Sequence, residues 1–116
     1  MAKSILAIDD ETMILDAMKI IFEDMGYEVT TCSDSREGIA EALRKDHDLL
    51  VVDIRMPGLN GAEVTEAIRK GKPEARILIV TAFPNDPLVQ RAMNAGAFAL
   101  LKKPFEIAKI LDYLKE

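Results

Sequence analysis

The sequence predicts a single α/β domain: an open, doubly wound parallel sheet of five strands, each followed by a helix. Three observations carry that expectation. Five short apolar runs alternate with five segments whose apolar residues recur at helical spacing. Turn and capping residues punctuate the boundaries between them. The third run, Leu49-Leu50-Val51-Val52, shows no polar alternation between Asp48 and Asp53. Such a run suits a central strand covered on both faces. Strands alternating with helices build a parallel sheet with helices on both sides. Five units are too few for an eight-fold barrel.

The elements follow in order. Ser4 to Ile8 is the first strand, stopped by Asp9-Asp10. Ile14, Leu15, Met18, Ile21, Phe22 and Met25 form the inner stripe of the first helix, and Gly26 sits at its C-cap. Met13, Ala17 and Ile20 form a second stripe beside it, read as a broadening of the core face rather than as a docking strip. Tyr27 to Cys32 is the second strand, and Asp34 with Glu37 has capping-box spacing before a helix marked by Ile39, Ala40 and Leu43. The third strand ends at Asp53 and the loop Pro57 to Gly61 follows. Val64, Ala67 and Ile68 mark the third helix, which ends near Gly71-Lys72-Pro73. Arg76 to Thr81 is the fourth strand. Asp86-Pro87 is an N-cap with proline at the first helical position, and Leu88, Val89, Ala92 and Met93 form the inner stripe up to Gly96. Phe98 to Lys102 is the fifth strand, and Ile107, Ile110, Leu111 and Leu114 mark the last helix. Right-handed crossovers make 2-1-3-4-5, the flavodoxin-like order, the expected arrangement.

Composition narrows the function. The 116 residues are 49% apolar and 30% charged, with net charge −5, which suits one ordinary globular domain. Nucleic-acid binding needs a basic face. The nearest approaches are the pairs Arg44-Lys45, Arg69-Lys70 and Lys102-Lys103. Cys32 is the only cysteine, so no internal disulfide and no multi-cysteine zinc site forms. The run Ile5 to Ile8 is too short for a membrane span, and cytoplasmic residence is the default expectation. His47, in the polar turn Lys45 to Asp48, reads as solvated.

Chemistry in an open parallel sheet collects at the carboxyl ends of the strands. Here those ends carry Asp9-Asp10, Asp53, Thr81 and Lys102-Lys103-Pro104. Three neighbouring carboxylates raise one another's pKa and call for compensation. A hard divalent cation supplies it, and Mg2+ suits one or two carboxylates together with water and phosphate oxygens. Carboxylates, a hydroxyl, a lysine and such a cation are equipment for holding a transferring phosphoryl group. A carboxylate is itself a competent nucleophile for that chemistry.

These residues resemble the receiver domain of two-component response regulators. The matching pieces are Ile8-Asp9-Asp10-Glu11, the run from Val51 to Gly61, Val80-Thr81-Ala82, Ala95-Gly96-Ala97 and Lys102-Lys103-Pro104-Phe105. Their order and spacing cover essentially the whole chain. The resemblance implies a phosphoacceptor signalling domain rather than an enzyme, one that assists its own phosphorylation and dephosphorylation. Asp53 would be the phosphoacceptor. Asp10 and Asp53 would bind Mg2+ directly, Asp9 directly or through water, and the backbone carbonyl of Arg55 would complete the protein ligands. Thr81 and Lys103 would hold phosphoryl oxygens, with Lys103 preferred to Lys102 and the Lys103–Pro104 bond cis. The implied donor is a sensor histidine kinase or a histidine phosphotransfer protein. The oligomeric state would be a monomer or a phosphorylation-dependent dimer.

The family's usual aromatic switch position is occupied by Leu100, which departs from the pattern. Arg55 and Phe83 stand where the family tunes hydrolysis, and their bulk implies a long-lived phosphoform. Residues 1–116 are expected to form one receiver domain with no output domain in this chain. Three alternatives fit less well. An aspartyl-phosphate phosphatase of the haloacid dehalogenase type needs Asp-x-Asp, whereas this chain has Asp53-Ile54-Arg55. A flavin or nucleotide carrier would meet repulsion from Asp9-Asp10-Glu11. An interaction module that has kept the fold without the chemistry would not need Asp10, Asp53, Thr81 and Lys103 together.

Overall fold

Each of the five apolar runs becomes a strand in the computed structural model, which describes residues 2–114. The strands are β1 (Ser4–Ile8), β2 (Glu28–Cys32), β3 (Leu49–Asp53), β4 (Ile77–Thr81) and β5 (Ala99–Lys102). All pair in parallel, in the order β2-β1-β3-β4-β5. The helices are α1 (Thr12–Asp24), α2 (Ser35–Arg44), α3 (Gly61–Gly71), α4 (Pro87–Asn94) and α5 (Ile110–Leu114), the last preceded by a 3-10 turn over Ile107–Lys109.

Strand periodicity sorts the core into two layers. Leu6, Ile8, Leu50, Val52, Ile77 and Ile79 face α2, α3 and α4 through Ala42, Val64, Ile68, Val89 and Ala92. Ile5, Ala7, Leu49, Val51, Leu78 and Val80 face α1 and α5 through Leu15, Met18, Phe22, Ile110 and Leu114. The central strands are covered on both sides, which is why their sequences never alternate. Register then aligns their carboxyl ends. Ile8 lies beside Val52, Asp53 beside Val80 and Thr81 beside Lys102.

Several local expectations change. Strands two, four and five each begin one residue later than their apolar runs suggest. The Asp34 carboxylate accepts from the Arg36 amide rather than completing a box with Glu37. The reciprocal box forms at α3 instead, where Asn60 accepts from the Glu63 amide at 2.9 Å and Glu63 accepts from the Asn60 amide at 3.0 Å. On α1 only Leu15, Met18 and Phe22 are buried. Ile21 and Met25 are exposed, as is Leu43 on α2.

The second α1 stripe does not broaden the core. Met13 is 85% exposed and Ile20 70% exposed, because one narrow stripe already covers the sheet face. His47 is not solvated either. Both its ring nitrogens are buried without a hydrogen-bond partner among the described residues, and burial lowers its pKa. The ring packs beside a cavity between α2 and the end of α3, lined also by Leu50 and Pro73.

Gly61 opens α3 directly behind β3. A Cβ there would collide with the Asp53 carbonyl oxygen and lie 2.7 Å from the Ile54 Cα, both backbone atoms. Gly61→Ala is therefore expected to cost about 2 kcal/mol, as overpacking of a rigid site does. Urea denaturation checks this, together with displaced amide resonances around Asp53.

Candidate functional site

The register of the sheet brings distant residues to one edge. Asp9 and Asp10 follow β1, Asp53 ends β3, Thr81 ends β4 and Lys103 follows β5. Carboxylate oxygens of Asp9, Asp10 and Asp53 all lie within 4.8 Å of one another. Asp9 is buried, Asp53 is 6% exposed and Asp10 faces solvent. The cluster is thus a shallow acidic well with one open side.

Lys103 answers the charge. Its Nζ donates to Asp9 Oδ2 at 3.0 Å and to Glu11 Oε1 at 2.6 Å, and lies 3.5 Å from Asp53 Oδ1. The Lys103–Pro104 peptide is cis. Lys102, one residue earlier, is exposed. Asp9 uses its other oxygen to accept from the Glu11 amide at 2.9 Å, which tightens the turn into α1.

One ammonium among four carboxylates does not balance them. Burial, then the charge of Asp9, push the Asp53 carboxyl up to about 7 despite the opposing pull of Lys103. Burial alone would lower the Lys103 pKa. Its hydrogen bonds to Glu11 and Asp9, with the charge of Asp53, outweigh burial and raise it. Lys103 is therefore charged, while the Asp53 carboxyl is held well above the usual carboxylate range. An oxygen-only donor set that still carries excess negative charge fits a hard divalent cation such as Mg2+.

Thr81 is 1% exposed, and its Oγ1 accepts from the Phe83 amide at 3.0 Å. The Lys103 amide donates to the Thr81 carbonyl at 2.8 Å, which ties the ends of β4 and β5 together. Phe83 itself stands 65% exposed. Arg55, two residues past Asp53, donates from Nε to Asp86 Oδ2 at 2.6 Å. Leu100 is half-buried and packs into the layer that holds Ile79 and Ala97.

Two participants were not assigned from sequence. Glu11 as a partner of Lys103 had a signal, since it directly follows Asp9-Asp10. Asp86 as the acceptor for Arg55 had none beyond its capping position, 31 residues away.

Comparisons with known proteins agree with this geometry. Residues 5–115 match the family described as response regulator receiver domain. The chemotaxis protein CheY of Thermotoga maritima is 30% identical over 117 residues, covering all of this chain and 98% of that protein. A response regulator receiver protein of Anaeromyxobacter is 33% identical over 107 residues, covering 92% of this chain but only 45% of that protein. The chain therefore spans about half the length of some curated relatives it matches. Among solved structures, a CheY-like receiver domain of Methanospirillum hungatei superposes with TM-score 0.93 at 34% identity, over 99% of this chain and 92% of that one. The receiver domain of a sensor histidine kinase of Pseudomonas aeruginosa, solved with magnesium in its active-site cleft, gives TM-score 0.88 at 26% identity over 99% and 96%. With the sheet order, the acidic strand-edge cluster and a match over nearly every residue in agreement, the chain belongs to the response-regulator receiver domains of two-component systems.

Proposed function

We propose that the domain accepts a phosphoryl group on Asp53 from a phosphohistidine of a sensor histidine kinase or histidine phosphotransfer protein, and changes its conformation and binding in response. The observation that carries this reading is the well of Asp9, Asp10 and Asp53 oxygens within 4.8 Å, faced by Lys103. The Asp53 carboxylate oxygen forms the new bond to phosphorus. The phosphorus–nitrogen bond breaks, and the imidazole leaves with the electron pair. Asp9, Asp10, Asp53 and the Arg55 carbonyl are the residues that would hold Mg2+, which supplies charge neutralisation at the transferring oxygens. Lys103 pairs with a phosphoryl oxygen, and the buried Thr81 hydroxyl donates to another. With nucleophile, cation ligands and lysine in one domain, the chain assists its own phosphorylation and hydrolysis without being an enzyme on another substrate.

The domain works in the cytoplasm in this reading, as a monomer or a phosphorylation-dependent dimer, over residues 1–116. Among the described residues no helix is long and apolar enough to cross a membrane. The test uses acetyl phosphate and Mg2+ with intact-mass measurement. One phosphoryl group is expected on wild type, none on Asp53→Asn and none with EDTA. No gain, with no beryllofluoride binding either, overturns the reading.

The exposed α1 stripe fits the donor. Met13 and Ile20 project into solvent, and Met13, Ile14 and Ala17 line a groove with Phe105 and Ile107 beside Lys103. Exposed apolar side chains next to a reactive site suit a partner helix. Ile20→Lys is expected to slow phosphotransfer from the cognate partner about tenfold, the loss of one good apolar contact. The melting temperature should stay unchanged, because nothing buried is removed. A large melting loss would return Ile20 to the core.

A further inference from the structure

The first residue of α2 is tied to the loop that leaves β3. Ser35 is 2% exposed. Its Oγ accepts from the Leu59 amide at 3.1 Å, across 24 positions. Gly58, one residue earlier in the loop, has φ +80°, and a Cβ there would lie 3.3 Å from the same Oγ. One buried hydroxyl therefore sits against two successive residues of the β3–α3 loop.

The loop has few other ties. Its base is closed by the Gly61 amide, which donates to the Ile54 carbonyl at 2.8 Å. Among the described residues, the Ser35 bond is the only hydrogen bond made by the backbone of Arg55 through Leu59. Met56 and Leu59 also pack side chains against the core. Apolar contacts are non-directional, so they do not fix how a peptide plane is turned. Arg55 reaches Asp86 through its long side chain, which leaves its own peptide unheld. The Arg55 carbonyl accepts no hydrogen bond among the described residues, which leaves its lone pairs available to a cation. Mg2+ demands near-octahedral ligand geometry, whereas Ca2+ tolerates a looser arrangement.

We propose that Ser35 is a positioning residue for the cation site: through the Leu59 amide it fixes the loop, so that the Arg55 carbonyl is already placed as a ligand when Mg2+ arrives. This rests on the Mg2+ set given above. Pro57 stiffens the span between Leu59 and Arg55, because its ring locks φ. A shift at Leu59 is thus passed back towards Arg55 rather than absorbed. The three carboxylates supply the charge that draws any divalent cation. The held loop supplies the geometry, and geometry is what separates Mg2+ from Ca2+.

The test measures Mg2+ and Ca2+ affinities of the domain by NMR titration, following the Asp10 and Asp53 amides, together with hydrogen exchange at the Leu59 amide. In Ser35→Ala the Leu59 amide loses its acceptor and should exchange faster. Mg2+ affinity should fall about three- to tenfold, the effect of one hydrogen bond on the placement of a ligand. Ca2+ affinity should fall less than about twofold. Ser35→Thr keeps the hydroxyl, and to the extent that Leu59 regains protection, Mg2+ affinity should return with it. Ala42→Gly weakens the other end of α2 and should leave both affinities unchanged. Unchanged Mg2+ affinity in Ser35→Ala overturns the proposal. So do equal losses for the two ions, an equal Mg2+ loss in Ala42→Gly, or Leu59 protection regained in Ser35→Thr without Mg2+ affinity. Each of these leaves the phosphoacceptor reading standing. Wild type that binds no Mg2+ at Asp10 and Asp53 would instead overturn the cation set, and this proposal with it.

Discussion

Asp53→Asn raises the melting temperature of the metal-free domain at pH 7 to 8 by roughly 10 °C. The sign follows from the pKa. Burial and Asp9 push the folded carboxyl up to about 7, while the unfolded one titrates near ~3.9. Below about pH 4 both states hold the proton, and Asp53 costs nothing through ionisation. Between about pH 4 and 7 the unfolded state loses its proton first, so stability falls as pH rises through this window. Above about 7 the full cost stands. That difference between the folded and unfolded carboxyl corresponds to about 4 kcal/mol, at ~1.36 kcal/mol for each tenfold change in acidity. Asparagine, itself polar and buried, recovers roughly half of that. About 2 kcal/mol moves the melting point of a domain this size by roughly 10 °C. Thermal melts of both proteins at pH 4.5, 6 and 8 in EDTA check the window. A gap independent of pH would mean a packing effect and not a charge effect. Added Mg2+ should raise the wild type selectively and narrow the gap, because binding to the folded state alone stabilises it.

Lys103→Met has the opposite sign. Its ammonium is the only cation within salt-bridge reach of the well among the described residues, at 3.0 Å from Asp9 and 3.5 Å from Asp53. Removing one partner of a buried pair leaves the other charge uncompensated, which typically costs about 3–5 kcal/mol. Asp53 can limit the cost by binding a proton, so about 3 kcal/mol is expected in EDTA at pH 7. The loss should shrink at pH 5, where protonation removes the repulsion, and in Mg2+, which supplies the missing charge. Combining Lys103→Met with Asp53→Asn should cost clearly less than the sum of the single effects, because the two side chains interact directly. Additive effects would show that Lys103 acts through packing rather than charge.

Much of the architecture was legible because it is local. Apolar runs and helical spacing are read over a dozen residues at a time, and the uninterrupted Leu49–Val52 run already placed β3 at the centre. The acidic cluster was legible for a topological reason. A sheet whose strands all run the same way puts every carboxyl end on one edge, so Asp9, Asp10, Asp53, Thr81 and Lys103 had to gather there. The helix surface was less legible. Met13, Leu15 and Ile20 look alike in sequence, but only Leu15 meets the sheet. Apolar character states what a residue tolerates, not what covers it.

By itself, then, the sequence determined the strand and helix content and the edge at which charge accumulates. The tertiary structure alone decided the pairings. Lys103 finds Asp9 across 94 positions and Glu11 across 92. Arg55 finds Asp86 from another loop, His47 buries its ring nitrogens between α2 and the end of α3, and the capping box forms at Asn60 rather than Asp34. Each of these depends on where a side chain's tip lies once the crossovers are packed. That position is set by contacts between elements remote in the chain, which no local pattern of residues encodes.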